Sequence, residues 1–468
     1  MAAKVLFVGG TSSNAGKSWM VTAICAWLRS RGVRVAPFKA QNMSNNSYPC
    51  VDGVEIGRAQ VAQAEACGLE PETAMNPILL KPNGDGASQV VVNGRMWKTL
   101  SAREYYAHVD ELRPVVHAAF ETLASRYDAV IVEGAGSVSE LNLRARDLVN
   151  LGLVTRVGAP WMLVADIERG GVFGSVVGTT QLLTAAERAL FRGFAVNKFR
   201  GDVSLFDEGV QILEQKTGSR CFGVFPHVDI ELDAEDSLAV SPPSGAPRPA
   251  DQRVAIVRLP HVSNTTDFRL LTWADWISGP PAQDYRFVVL PGTKNTVQDM
   301  TWLRETGLAQ WVLEQHRRGA TIVGICGGYQ MLGEAIRDPH GVESSNPHVR
   351  GLGLIEATTA LATEKRTRVV VARTAEGVRF GGYEIHVGQT VHATAVQPFA
   401  RLDDGSVDGV RDTRIVGTYL HGALEHPDVC AEIFGVAPPA CRTKADEYAA
   451  LGRWFQTHGR HLDELGLG

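Results

Sequence analysis

The sequence predicts two α/β domains joined by a stiff tether, the first a parallel sheet with a phosphate-binding loop at its head. Three observations lead there. Apolar strand-like runs alternate with stretches of helical period, and that repeated alternation builds a parallel sheet covered by helices on both faces. A proline-dense stretch at 241–249, SPPSGAPRP, interrupts the rhythm, and so much proline packs into neither helix nor sheet. Each half also carries a glycine-rich turn between a strand and a helix, GGTSSNAGKS at 9–18 and GICGG at 324–328.

In chain order, strand-like runs of the first half fall at 5–8, 33–38, 129–132, 161–165 and 194–197. Helical periods lie among them at 19–29, 104–124 and 184–191. The second half restarts with strands at 254–258, 287–290, 321–324, 382–385 and 415–420. The expected divisions are 1–240 for an ATP-binding domain, 241–252 for the tether and 253–468 for the second domain.

Length and composition bound the function. The chain has 468 residues, 44% hydrophobic and 21% charged, the profile of a globular enzyme. A net charge of −5 argues against nucleic acid as a partner while allowing a local basic pocket. The seven cysteines are odd in number, scattered and free of any CxxC pair, so neither a disulfide framework nor a zinc site is expected. The N-terminus runs directly into an apolar strand without the layout of a signal peptide, and no apolar run is long enough to span a bilayer. A soluble, cytoplasmic protein with no membrane partner is the expectation.

The turn at 9–18 follows the first strand and opens a helix, the setting a P-loop requires. Backbone N–H groups at Thr11, Asn14, Ala15 and Gly16 would cradle phosphate oxygens, with Lys17 reaching the terminal phosphates and Ser18 holding Mg²⁺. ATP and Mg²⁺ are therefore the expected ligands. One residue more than the standard spacing separates Gly10 from Gly16. Glu133, in VEGAGS, and Asp166 both end strands, where an acid can hold Mg²⁺; Glu133 is preferred because glycines beside it permit close approach. Asn197 ends the fifth strand and can read an adenine edge or cap a turn. The second strand ends in Lys39 and an amide-rich loop containing Gln41 and Asn42, suited to an oxygen-rich substrate. Lys81, Arg95 and Arg200 are further loop cations, each more ordinary as a surface charge.

In the second half, glycines flank Cys326 between a strand and an apolar helical segment, the pattern of a nucleophile elbow with cysteine in place of serine. A cysteine nucleophile needs a base and an oxyanion hole. His421, in GTYLHG at a strand's end, is the expected base and His386, in GYEIH, its rival. The N–H groups of Gly327 and of Gly292, in the LPGTK loop, are the expected oxyanion donors.

The elbow, the Pro-Gly loop and the late strand ending in histidine resemble the class I glutamine amidotransferase domain. That family places a glutamate two residues after the histidine; here the position is Ala423, and Glu425 is out of phase, so the imidazole's partner is absent or comes from elsewhere. The long phosphate loop resembles the dethiobiotin-synthetase-like branch of P-loop proteins, in which ATP activates a carboxylate. Positions 9–15 lack the early lysine of the partitioning ATPases, which counts against one of those, and the intact Cys326–His421 pair argues against a regulatory ATPase carrying a degenerate amidotransferase domain.

Both halves together, with PFKAQNMSNNS, NPILLKP, RGGVFGS, NKFRGD and GICGGYQMLG in order, resemble the cobyric acid synthase family across residues 9–422. The sister a,c-diamide synthases share the two domains, and the FKAQNMSNNS loop favours the former. The resemblance implies ATP- and glutamine-dependent amidation of the b, d, e and g carboxylates of adenosylcobyrinic acid a,c-diamide. It also implies a Cys326–His421 glutaminase, acyl-phosphate activation at the P-loop, a sheltered path for ammonia, and a chain compatible with homo-oligomers.

Overall fold

The structure, a computed structural model, describes residues 3–82, 86–228, 230, 249–344, 346–438 and 443–467. The chain divides into two compact units: Met1–Ser44, Glu55–Asp233 and Arg442–Gly468 form the first, Asn45–Val54 and Ala234–Cys441 the second.

The first unit is built on a six-stranded parallel sheet in the order Arg220–Pro226, Phe191–Phe199, Trp161–Asp166, Lys4–Gly10, Ala129–Glu133, Val35–Phe38. Ala129–Glu133 and Trp161–Asp166 are buried at every position, which explains their continuous apolar runs: a strand covered on both faces has no polar side to alternate with. Lys4–Gly10 lies between them, so the loop at its carboxyl end is flanked by the ends of both. That juxtaposition places the sheet's ligand end.

The predicted helix at 104–124 is two helices, Ala102–Ala107 and Val109–Arg126. A capping box of Ser101 and Glu104 starts the first, satisfying end N–H groups that the apolar period cannot reveal. The predicted strand at 33–38 shortens to Val35–Phe38. A four-stranded sheet of Gln41–Met43, Ile78–Pro82, Ala87–Val92 and Arg95–Ser101 was not expected.

The second unit has a six-stranded sheet in the order Asp275–Ile277, Val254–Val257, Phe287–Leu290, Thr321–Ile325, Ile415–Thr418, Val410–Asp412, parallel except for its last pair. The predicted strand at 382–385 is the middle of Arg379–His392, which pairs antiparallel with Ala357–Thr374 in a separate sheet. The predicted strand at 415–420 stops at Thr418, leaving His421 beyond the strand end.

Among the described residues, the expected division of the chain differs from the units in two places. Helix Lys444–His458 belongs to the first unit: Tyr448, Leu451, Trp454 and Phe455 share a core with Trp27, Phe222 and Phe225. The Trp454 indole donates to Pro226 O at 3.1 Å, and the Trp27 and Phe455 rings lie 5.4 Å apart. Conversely, Asn45–Val54 belongs to the second unit. Of the expected tether, 241–248 lies outside the described residues, and Ala250–Gln252 forms a short 3₁₀ turn. Among the described residues no helix is long and apolar enough to cross a membrane.

Candidate functional sites

In the first unit, the strand Lys4–Gly10 delivers the chain into the loop that precedes helix Lys17–Ser30. Two residues of the loop take left-handed backbone, Asn14 at φ 60° and Gly16 at φ 98°. A Cβ on Gly16 would lie 1.9 Å from Asn197 Nδ2, which donates to Ala15 O at 3.0 Å, so glycine is obligatory there. Asn197 thus meets the loop's backbone. Lys17 is nearly buried and folds its ammonium over the loop, donating to Ser12 O at 3.0 Å and Gly136 O at 2.8 Å. Thr11, Ser12 and Ser13 line a cavity of about 530 Å³, together with Gln41, Arg144 and Arg146.

Glu133 is fully buried and accepts from Ser18 Oγ at 2.8 Å, Lys39 Nζ at 2.8 Å and Gln63 Nε2 at 2.5 Å. Burial alone would raise its pKa, but the Lys39 charge, the hydrogen bonds and Lys17 outweigh it and hold the carboxylate low. The expectation for Lys39 changes accordingly. Its side chain is 3% exposed and paired with Glu133, so its charge is spent inside the protein, not held out to a substrate. Asn42 is likewise buried, donating to Gln60 Oε1 at 2.9 Å. Gln41 accepts from the Tyr105 hydroxyl at the cavity wall.

The remaining expected cations and acids also resolve. Asp166 pairs with Lys198 at 3.0 Å and caps the Glu168 N–H, Arg200 pairs with Glu168 at the surface, and Lys81 forms a buried pair with Glu55. Arg95 is exposed. No group of three or more His, Cys, Asp or Glu side chains among the described residues is placed to hold a metal. A Mg²⁺ ion needs no such cage, since it keeps several waters and binds through one or two protein oxygens plus phosphate. The ionised Glu133 beside the Ser18 hydroxyl fits that donor set.

In the second unit, Thr321–Ile325 ends in Cys326 at φ 51°, ψ −108°, a conformation that is strained for any side chain. The flanking glycines make it possible. A Cβ on Gly328 would lie 1.9 Å from Leu290 O, and one on Gly324 would lie 2.7 Å from Gly328 O. A Cβ on Gly292 would approach His421 Cε1 to 2.9 Å and Cys326 Cβ to 3.7 Å, so this backbone lies against both reactive side chains. The Cys326 thiol is 4.0 Å from Ile385 O.

His421 is 1% exposed and its Nδ1 lies 2.7 Å from Asp267 Oδ2. The other Asp267 oxygen accepts the Gly422 N–H at 2.7 Å, so both carboxylate oxygens hold the segment that carries the imidazole. This answers what faces His421 in place of Ala423. Asp267 sits in the 3₁₀ turn Thr265–Phe268, which follows the first strand of this unit's sheet. The one sequence signal was the polar SNTTD run at a strand's carboxyl end, 154 residues before the histidine. Burial works against a charge on His421, but Asp267 and then Cys326 outweigh it and bring its pKa up to about 10.

His386, the rival, is turned elsewhere: its Nδ1 lies 2.8 Å from Gly388 O and its ring stacks on Tyr419 at 3.8 Å. It lines a second cavity of about 750 Å³ with Tyr329, Arg366, Glu384, Asp408 and Tyr419. Burial pushes the Asp408 carboxyl up to about 7 even though Thr418 and the Tyr419 N–H donate to it.

Residues 6–238 match the CobQ/CobB/MinD/ParA nucleotide binding domain, and 253–429 the CobB/CobQ-like glutamine amidotransferase domain. Among curated proteins, the chain is 47% identical to a cobyric acid synthase of Rhodococcus jostii (strain RHA1), covering 90% of this chain and 84% of that one. It is 45% identical to a cobyric acid synthase of Mycolicibacterium gilvum (strain PYR-GCK) over 98% of this chain and 94% of that one. With a cobyric acid synthase of Parabacteroides distasonis it shares 43% identity over 96% and 93% of the two chains. With both domain types present in order and the likeness spanning nearly the full length of these relatives, the chain belongs to the cobyric acid synthase family of glutamine-dependent amidotransferase ligases.

Proposed function

We propose that this chain transfers ammonia from glutamine to the b, d, e and g carboxylates of adenosylcobyrinic acid a,c-diamide, driven by ATP. The observation that carries the reading is the pairing, on one chain, of a glycine-flanked cysteine beside a carboxylate-held histidine with a lysine-bearing phosphate loop. Relatives that bear the corresponding name over most of their length supply the choice of acceptor.

In the second unit Cys326 Sγ attacks the glutamine amide carbon, and the N–H groups of Gly327 and Gly292 meet the oxyanion that forms. Each such donor contributes about 3 kcal/mol at the transition state. His421, held by Asp267, passes the thiol proton to the departing ammonia. Water then opens the thioester, giving its proton back through His421 and releasing glutamate. The cavity beside His386 and Tyr419 takes the amino-acid end of glutamine; on its wall Arg366 lies 3.7 Å from Glu384, which Arg368 also holds.

In the first unit Thr11, Asn14, Ala15 and Gly16 cradle the phosphates, Asn197 holds the loop in shape, and Lys17 lies over the terminal phosphates. Ser18 and Glu133 would hold Mg²⁺, which when bound offsets charge on the phosphates. Arg146 in the adjoining cavity orients an acceptor carboxylate with Gln41, while Arg144 beside it is paired with Glu187 at 3.2 Å. Its oxygen attacks the γ-phosphorus, ADP leaves, and ammonia displaces phosphate from the acyl phosphate to form the amide. The enzyme works in the cytoplasm, where the Cys326 thiol stays reduced.

Mass spectrometry of the corrinoid after incubation with ATP and glutamine tests the acceptor: a gain of four amide groups on the a,c-diamide is expected. Amidation of cobyrinic acid itself at two positions would instead make the chain an a,c-diamide synthase.

Asp267→Asn tests the triad reading. Losing the carboxylate that orients a catalytic imidazole costs about 10³–10⁴-fold in turnover, and that drop is expected for glutamine-driven amidation. The sign of the pH effect follows from the charge. Asp267 favours the imidazolium, so without it His421 gives up its proton at lower pH and the alkaline limb of the glutaminase profile moves to lower pH. A variant with an unmoved profile would remove Asp267 from the mechanism.

A further inference from the structure

The segment Asn45–Val54 continues directly from the loop that carries Lys39, yet it packs within the second unit. On either side the chain is anchored in the first unit: Ser44 N–H donates to Leu80 O at 3.0 Å, and Glu55 pairs with Lys81. Asn46 is fully buried, and its Oδ1 accepts the Asn264 backbone N–H at 2.7 Å. Two residues on, the Tyr48 ring lies 4.7 Å from the Tyr383 ring, which stacks at 5.2 Å and 21° on the His421 imidazole.

Asn264 is the link to the reactive histidine. It is held at φ 54°, ψ 48°, left-handed backbone that asparagine tolerates better than most residues. Its Nδ2 lies 3.3 Å from His421 Nε2. Since Nδ1 is committed to Asp267, Nε2 is the nitrogen that must exchange a proton with Cys326. A primary amide can meet that nitrogen in either state, donating to the neutral ring or, turned over, accepting from the imidazolium. In both cases Nε2 is engaged by Asn264. The amide's other end, Oδ1, is buried without a partner, so this side chain is held where it satisfies only half of its own polar groups.

We propose that Asn46 is a positioning residue of the glutaminase, keeping Asn264 on His421 Nε2, and that the 45–54 segment releases that nitrogen when ATP and acceptor load the nucleotide-binding unit. The inference rests on the glutaminase reading of Cys326 and His421. The restraint slows glutamine hydrolysis when no activated carboxylate awaits the ammonia.

The test compares full-length Asn46→Ala with the unsubstituted enzyme. Hydrolysis of glutamine without ATP and acceptor is expected to rise about five- to tenfold, the worth of one released hydrogen bond. The rise should appear in kcat with KM for glutamine unchanged, and stimulation by ATP plus acceptor should shrink toward unity. Ammonium-driven amidation should stay as it was, and Asn46→Asp, which keeps the accepting oxygen, should restore the stimulation. An unchanged stimulation ratio, or a fall in acceptor-free hydrolysis, overturns the proposal. Should Asn46→Ala fail to fold by thermal melting, Tyr48→Leu loosens the same segment and must show the same rise, or the proposal fails. An unsubstituted enzyme with no glutaminase activity under any condition would instead refute the reading on which the inference rests.

Discussion

Cys326→Ala is expected to abolish glutamine-driven amidation while leaving amidation from ammonium salts intact. Removing a nucleophile from a concerted catalytic group costs on the order of 10⁴–10⁶-fold, enough to take the reaction below detection. The fold should tolerate the change. Cys326 is strained at φ 51°, and alanine has the same Cβ and hence the same strain, so the elbow neither gains nor loses backbone energy. The sulfur is buried, so its deletion leaves a small cavity, worth about 1 kcal/mol. Two measurements decide the outcome: corrinoid amidation with glutamine, and the same reaction with ammonium at rising pH, where free ammonia becomes more abundant. Loss of both would mean that Cys326 serves the acceptor chemistry or the fold, and the separation of ammonia release from ammonia use would be wrong.

The features legible in the sequence share a physical property, that they are local. The elbow announces itself because glycines must stand beside Cys326 where Leu290 O and Gly328 O leave no room for a Cβ. The phosphate loop does so because a left-handed Gly16, a lysine and a serine follow one another between strand and helix. Parallel strands read as apolar runs because both their faces are covered. What could not be read was long-range. Asp267 reaches His421 across 154 positions, and no spacing rule connects them. Lys39 looked like a free cation because its partner, Glu133, lies 94 positions away at the end of a neighbouring strand. The return of Lys444–His458 to the first unit depends on a shared core with Trp27, Phe222 and Phe225. The hairpin of Ala357–Thr374 and Arg379–His392 escaped because much of the first strand is exposed and carries charged residues, TEKRTR, that resemble a loop.

Lys17→Ala is the complementary experiment, expected to abolish amidation from both nitrogen sources while glutamine hydrolysis persists. Two effects act together. The ammonium is the loop's own cation, and phosphoryl transfer relies on fixed charge around the terminal phosphate because the protein supplies little covalent chemistry there. The same group also ties the loop together by donating to Ser12 O and Gly136 O, joining the turn after the first strand to the turn after Ala129–Glu133. Its removal leaves two carbonyls without that donor and opens a space beside Gly10, where a Cβ would touch the lysine stem at 2.9 Å. A loss of about 10³-fold or more in ammonium-driven turnover is expected from losing such a charge at the transition state. Lys17→Arg should not rescue it, because the planar guanidinium cannot take the compact ammonium's place between two carbonyls in a nearly buried position. Glutamine hydrolysis measured without acceptor separates this outcome from general misfolding, since the Cys326 site lies in the other unit. Ammonium-driven turnover that survives Lys17→Ala unchanged would remove ATP from this loop.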